Sequence, residues 1–211
     1  MNPHLASPPV TVGPPVADAR RVAVVVHGRD QDPEYMLEHL VARLAAPDVA
    51  FVLPAAAERS WYPARYFDPR EATEPWLGHA RAAVEAAIGG VEPERVVLAG
   101  FSQGACLVAD LLGAKPGSLL PSGGLARAPR RFAGAAILTG AFIGPHPEPA
   151  GLEGVPVFME SSRYDEWVPL ARVEATAEAL EAAGARVDLQ VADDREHRIR
   201  DAAVAGVRAL L

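Results

Sequence analysis

The sequence predicts an α/β fold, a mostly parallel sheet of about six to seven strands with helices on both faces. Two observations carry that expectation. From residue 21 onward, short apolar runs alternate with amphipathic segments of helical length. Among the short runs, RVAVVV is a continuous β-branched one, as a strand buried on both faces should be.

The elements follow in order. The first 20 residues hold five prolines and no helical periodicity, and read as an extended lead-in to one domain over 21–211. RVAVVV, Arg21 to Val26, is the first buried strand. Asp32 offers an N-cap and Pro33 suits a first helical position, while Met36, Leu37, Leu40, Val41 and Leu44 repeat at helical spacing. VAFVLP, Val49 to Pro54, is a second strand, and the loop after it carries Trp61, Tyr62, Tyr66 and Phe67. Trp76, Leu77, Ala80, Val84 and Ile88 mark a helix that Pro93 separates from the strand RVVLA, Arg95 to Ala99. A helix of small residues follows from Gln103 to about Leu112. The Gly- and Pro-rich stretch 113–131 reads as a long loop, of the kind that forms lids or binding elements or is disordered. Three apolar runs remain, AGAAIL (Ala133 to Leu138), PVFME (Pro156 to Glu160) and RVDLQV (Arg186 to Val191). A helix with Leu170, Val173, Ala177 and Leu180 on one face lies between the last two, and another closes the chain from about Ala202.

Composition narrows the function classes. A chain of 211 residues fits one core. Its formal net charge of −7, with no clustered Lys and Arg, argues against nucleic acid as a partner and gives no electrostatic reason to dock on anionic lipid. No apolar stretch approaches the roughly 18 residues that span a bilayer. The single cysteine, Cys106, excludes an intramolecular disulfide, and the first residues lack the apolar run of a secretory signal. A cytoplasmic location is expected.

Ligands of parallel sheets sit at the carboxyl ends of the strands, so the chemistry is sought there. Gly100-Phe101-Ser102-Gln103-Gly104 stands where the strand RVVLA meets a helix. On such a turn a serine projects its hydroxyl above the sheet, and flanking glycines relieve crowding. The Gln103 N–H then opens a helix, where partial positive charge favours an oxyanion. The plainer alternative is a glycine-rich turn with an incidental serine. A serine hydroxyl needs a base beside it. Of the six histidines, His4 lies in the lead-in, His39 and His79 fall on helices, and His146 sits between two prolines. His197 follows the last strand run and precedes the final helix, which makes it the candidate base. The orienting acid is expected between the two in sequence. Asp165, after PVFME, fits; Glu166 is adjacent and remains the competitor, while Asp193 and Asp194 are expected to cap or solvate the histidine loop. A second oxyanion donor is expected after an early strand, in His27-Gly28-Arg29-Asp30, with the Arg29 N–H as candidate and His27 as a structural hydrogen-bonding residue. Cys106 is expected to fill core. Trp61, Tyr62, Trp76 and Trp167 are candidates for a substrate pocket, with ordinary core packing as the competing expectation.

With these residues in view, the chain resembles the phospholipase/carboxylesterase family, which includes acyl-protein thioesterases and small bacterial cytosolic esterases. The matching stretches are VVVHGRDQDP, LPAAAERSWYP, EPWL, RVVLAGFSQGACLV, ILTGAFIG, PVFMESSRYDEWVPL and EHRI. They cover nearly everything from residue 20 onward. The HGR and WYP loops resemble the bacterial branch of hydroquinone-resistance hydrolases. The resemblance implies the α/β-hydrolase fold and a carboxylic-ester or thioester hydrolase with no metal and no cofactor. It implies Ser102, Asp165 and His197 as a triad, Arg29 and Gln103 as oxyanion donors, and a small-molecule ester or thioester as partner. Three departures bear on the substrate: Asp30 and Glu196 stand where the family favours Gly, and the 113–131 stretch is long. The oligomeric state is left open, a homodimer included. The rival to an enzyme is a binding or sensor protein that keeps the fold without turnover.

Overall fold

The computed structural model describes residues 1–65, 68, 70–113, 131–144 and 149–211. The expected aromatic loop residues Tyr66 and Phe67, His146 and nearly all of the 113–131 loop lie outside them. Among the described residues, seven strands form one sheet: β1 (Val10–Val12), β2 (Arg21–Val26), β3 (Val49–Leu53), β4 (Val96–Phe101), β5 (Gly134–Leu138), β6 (Pro156–Ser162) and β7 (Arg186–Ala192). Their spatial order is β1-β3-β2-β4-β5-β6-β7. All neighbours run parallel except β1, which pairs antiparallel with β3.

The continuous apolar runs are explained by burial on two sides. Along β2, Val22, Val24 and Val26 join the core on one face, while Ala23 and Val25 join the core on the other. The first face is covered by α4 (Trp76–Ile88), α5 (Gln103–Leu112) and α6 (Leu170–Ala182). The second is covered by α7 (Asp201–Leu210) and by the rod formed from α1 (Pro33–Met36), a π-helical turn over Leu37–Val41, and α2 (Ala42–Leu44). A short α3 (Arg70–Thr73) precedes α4. The rod starts as expected, with Pro33 in its first turn and the Asp32 carboxylate accepting from the Tyr35 N–H at 3.0 Å. At the sheet's edge, β7 alternates: Arg186, Asp188 and Gln190 are exposed, whereas Val187 and Leu189 pack on the core.

Residues before 21 do more than lead in. Val10–Val12 supplies the edge strand, in register with Leu53 to Phe51. His4, read from the sequence as a residue of the lead-in, is buried. Its Nδ1 accepts from the Ala57 N–H at 2.9 Å, which leaves Nε2 to donate to the Trp61 carbonyl at 3.1 Å. No helix among the described residues is long and apolar enough to cross a membrane.

Candidate active site

Parallel pairing brings the carboxyl ends of β2, β4, β6 and β7 to one edge, and each is followed by a residue singled out in the sequence. Strand β4 ends at Phe101 and α5 begins at Gln103, so Ser102 alone makes the turn. Its φ of 54° and ψ of −118° lie where an L-residue is strained, at a cost of about 1–3 kcal/mol. Glycines make the turn sterically feasible. A Cβ on Gly100 would collide with the Gly104 carbonyl, and one on Gly104 with the carbonyls of Val26 and His27. The strained residue is held by its N–H, which donates to the Leu138 carbonyl at 2.9 Å.

His197 lies in the loop between β7 and α7. Its Nε2 is 2.8 Å from Ser102 Oγ and its Nδ1 is 2.7 Å from Asp165 Oδ2. The other oxygen of Asp165 accepts from the N–H groups of Trp167 and Val168 at 2.7 and 3.0 Å. Burial is the largest influence on this carboxyl and would raise its pKa. The hydrogen bonds from His197, Val168 and Trp167 together outweigh burial and hold it below the usual carboxylate range. Glu166, the competing acid, is exposed. Asp194 accepts from the Glu196 N–H at 3.0 Å and Asp193 pairs with Arg163, so both acids serve the loop. The Glu196 carboxylate pairs with Arg198.

Across from this line lies the His27–Asp30 loop. A Cβ on Gly28 would stand 3.2 Å from Ser102 Cβ, so the chain there abuts the serine. The Gly28 N–H donates to Gln31 Oε1 at 2.9 Å, and Asp30, at a φ of 61°, turns the chain away. Among the described residues the Arg29 N–H has no protein acceptor. The Gln103 N–H opens α5, with no carbonyl one turn back to accept it. His27 is buried: Nε2 accepts from the Ala56 N–H at 3.1 Å, so Nδ1 carries the proton and donates to the Gly28 carbonyl at 2.7 Å.

The four expected pocket aromatics separate. Trp61 and Tyr62 are 0% and 2% exposed and pack in the core. Trp76 packs edge-on against His4 and His79. Trp167 is 71% exposed, its ring 6.4 Å from that of His197. Cys106 is buried one turn after Ser102, and burial pushes its thiol up to about 11, as suits core filling.

Burial also depresses the pKa of both His4 and His27, against the opposing pull of their backbone acceptors. In the unfolded chain these imidazoles take up protons near about 6.5. The folded state resists until lower pH, so the stability present above about 6.5 is lost as pH falls towards the folded values. Melting temperatures measured from pH 7.5 to 5.5 should decline, and His4→Gln should flatten that slope. An unchanged slope would remove His4 from the account.

Two features of the site were not foreseen in the sequence. The first is Arg200, which donates to Glu160 and Asp194 at 2.5 Å and to the Glu196 carbonyl at 2.8 Å, tying the histidine loop to the end of β6. Glu160 was its signal, since a carboxylate in a buried strand requires a partner. The second is the side chain of Gln103, whose Oε1 and Nε2 bond the backbone of Trp61 and Tyr62.

The sequence pattern of the phospholipase/carboxylesterase family matches residues 10–211. No curated protein matches the chain. Among solved structures, a phospholipase/carboxylesterase from Dyadobacter fermentans is similar at 27% identity and a TM-score of 0.76, over 97% of this chain and 95% of that one. A carboxylesterase from Mesorhizobium loti shares the fold at 24% identity and a TM-score of 0.66, over 90% and 88%. So does SOBER1 of Arabidopsis thaliana, at 19% and 0.68, over 91% and 97%. The chain therefore belongs to the phospholipase/carboxylesterase family and is an ester hydrolase of the α/β-hydrolase fold.

Proposed function

We propose that this enzyme hydrolyses small to medium acyl esters or thioesters through an acyl-enzyme on Ser102. One observation carries the reading: the continuous line from Ser102 Oγ through His197 to the Asp165 carboxylate, with steps of 2.8 and 2.7 Å. The Asp165 carboxylate accepts a hydrogen bond from Nδ1–H, which keeps the proton on that nitrogen and leaves the Nε2 lone pair facing the serine hydroxyl. Ser102 Oγ attacks the substrate carbonyl as its proton passes to His197, and the Arg29 and Gln103 N–H groups receive the negative charge on oxygen. The tetrahedral adduct collapses as His197 protonates the departing alcohol or thiol. Water, deprotonated by the same imidazole, then releases the acid and frees Ser102. The exposed ring of Trp167 beside His197 suits contact with an apolar part of the substrate. The reading includes a cytoplasmic enzyme that needs no cofactor.

Labelling with a fluorophosphonate probe tests it, because the activated serine displaces fluoride and keeps the phosphonyl group. The adduct should map to Ser102, and nitrophenyl esters of increasing acyl length should then define the substrate range. A folded protein that neither labels nor turns over any ester would favour the binding-protein alternative.

A further inference from the structure

We infer that Trp61 is a positioning residue for the oxyanion donors, holding the two loops that carry them through its indole N–H and its own backbone. The inference rests on the acyl-enzyme reading above. Trp61 belongs to neither donor loop, yet it binds both. Its indole Nε1–H donates to the His27 carbonyl at 2.8 Å, the peptide that leads into Gly28 and Arg29. Its backbone N–H donates to Gln103 Oε1 at 3.0 Å. The next carbonyl, that of Tyr62, accepts from Gln103 Nε2 at 2.8 Å and from Arg29 Nη2 at 3.0 Å. Gln103 thus grips the Trp61–Tyr62 dipeptide with its side chain, and the Arg29 guanidinium holds the carbonyls of Tyr62, Pro63 and Ala64 that follow. Both residues whose N–H groups would meet the oxyanion therefore converge on Tyr62.

Packing alone does not require this arrangement. A phenylalanine would fill much of the same space, whereas the indole N–H reaches the carbonyl that leads into the donor loop. That carbonyl is also pressed against α5, since a Cβ on Gly104 would collide with it. Trp61 is fully buried, so no bulk water replaces a lost bond there. His4 holds the Trp61 carbonyl from behind, and the Trp61 and His27 rings pack with centroids 4.9 Å apart. Backbone donors accelerate a reaction only if they are aimed before charge develops, and small misplacements are costly.

Trp61→Phe keeps an aromatic ring and the backbone N–H to Gln103, but deletes the indole N–H together with the rest of the five-membered ring. It should lower kcat about tenfold with KM within about twofold of wild type, because a donor aimed at the oxyanion acts in the transition state more than in substrate binding. The inhibition constant of a trifluoromethyl ketone, to which Ser102 Oγ adds to leave an oxyanion, should rise by the same factor. A packing role would lower the melting temperature but leave that inhibition constant and kcat unchanged in the folded variant, and this result would overturn the inference. Should Trp61→Phe fail to fold, Arg29→Lys decides: it keeps the Arg29 N–H but weakens the grip on the Tyr62, Pro63 and Ala64 carbonyls of the segment that Trp61 opens. It should raise the ketone's inhibition constant about threefold, since a slight misaim costs less than the roughly hundredfold of a 1 Å displacement, and no change there would overturn the inference. Full hydrolysis in Ser102→Ala would instead remove the acyl-enzyme reading itself, an outcome read independently of either variant.

Discussion

Ser102→Ala should retain the fold while ester hydrolysis falls by about 10,000-fold or more, since loss of a triad nucleophile removes the covalent route altogether. The strained turn is set by Gly100, Gly104 and the bond from the Ser102 N–H to the Leu138 carbonyl, none of which involves the hydroxyl. Circular dichroism should therefore match wild type. The residual rate would report what oxyanion donors and binding supply without the serine. Turnover within tenfold of wild type in the folded variant would sink the mechanism.

The two adjacent acids should behave very differently. Asp165→Asn should cost about 1,000- to 10,000-fold in kcat. Asp165 Oδ1 already accepts two backbone N–H groups, so an amide would keep its oxygen there and turn its NH2 towards His197 Nδ1. The imidazole would then carry its proton on Nε2, facing the serine, and could no longer act as base. Glu166→Gln should change kcat less than about twofold, because this side chain is exposed and surface substitutions are usually mild. Steady-state rates of the two variants against one nitrophenyl ester decide the matter; a crippled Glu166→Gln beside a near-normal Asp165→Asn would reassign the orienting acid.

The strands and the chain order of the chemical residues were legible because each leaves a local mark. Both-face burial writes itself as an unbroken run such as RVAVVV, and the strand-to-helix turn demands glycines at fixed offsets around Ser102. What was not legible depends on partners distant in sequence. Val10–Val12 is β-branched but only three residues long and flanked by prolines, and becomes a strand by pairing with Leu53 to Phe51. His4 and Trp61 look like a lead-in histidine and a pocket aromatic until their hydrogen bonds, to each other's neighbourhood and to His27, are seen. The π-helical turn at Leu37–Val41 likewise leaves the apolar spacing intact and so gives no warning. RVDLQV, grouped with the apolar runs, already alternates polar and apolar residues, which is the signature of its place at the sheet's rim.

That rim position gives the site an uneven thermal footing. Ser102 hangs from β4, the middle strand of seven, whereas His197 follows β7, which is paired on one side only. Local opening starts where fewest bonds must break, so hydrogen exchange should be slowest along β4 and fastest, within the sheet, along its two rims. In the proposed mechanism Ser102 is then the firmly set partner and His197 the mobile one. On gentle warming, the outer strand should release His197 while the sheet's interior remains closed, and hydrolysis should fade some degrees before the far-ultraviolet signal does.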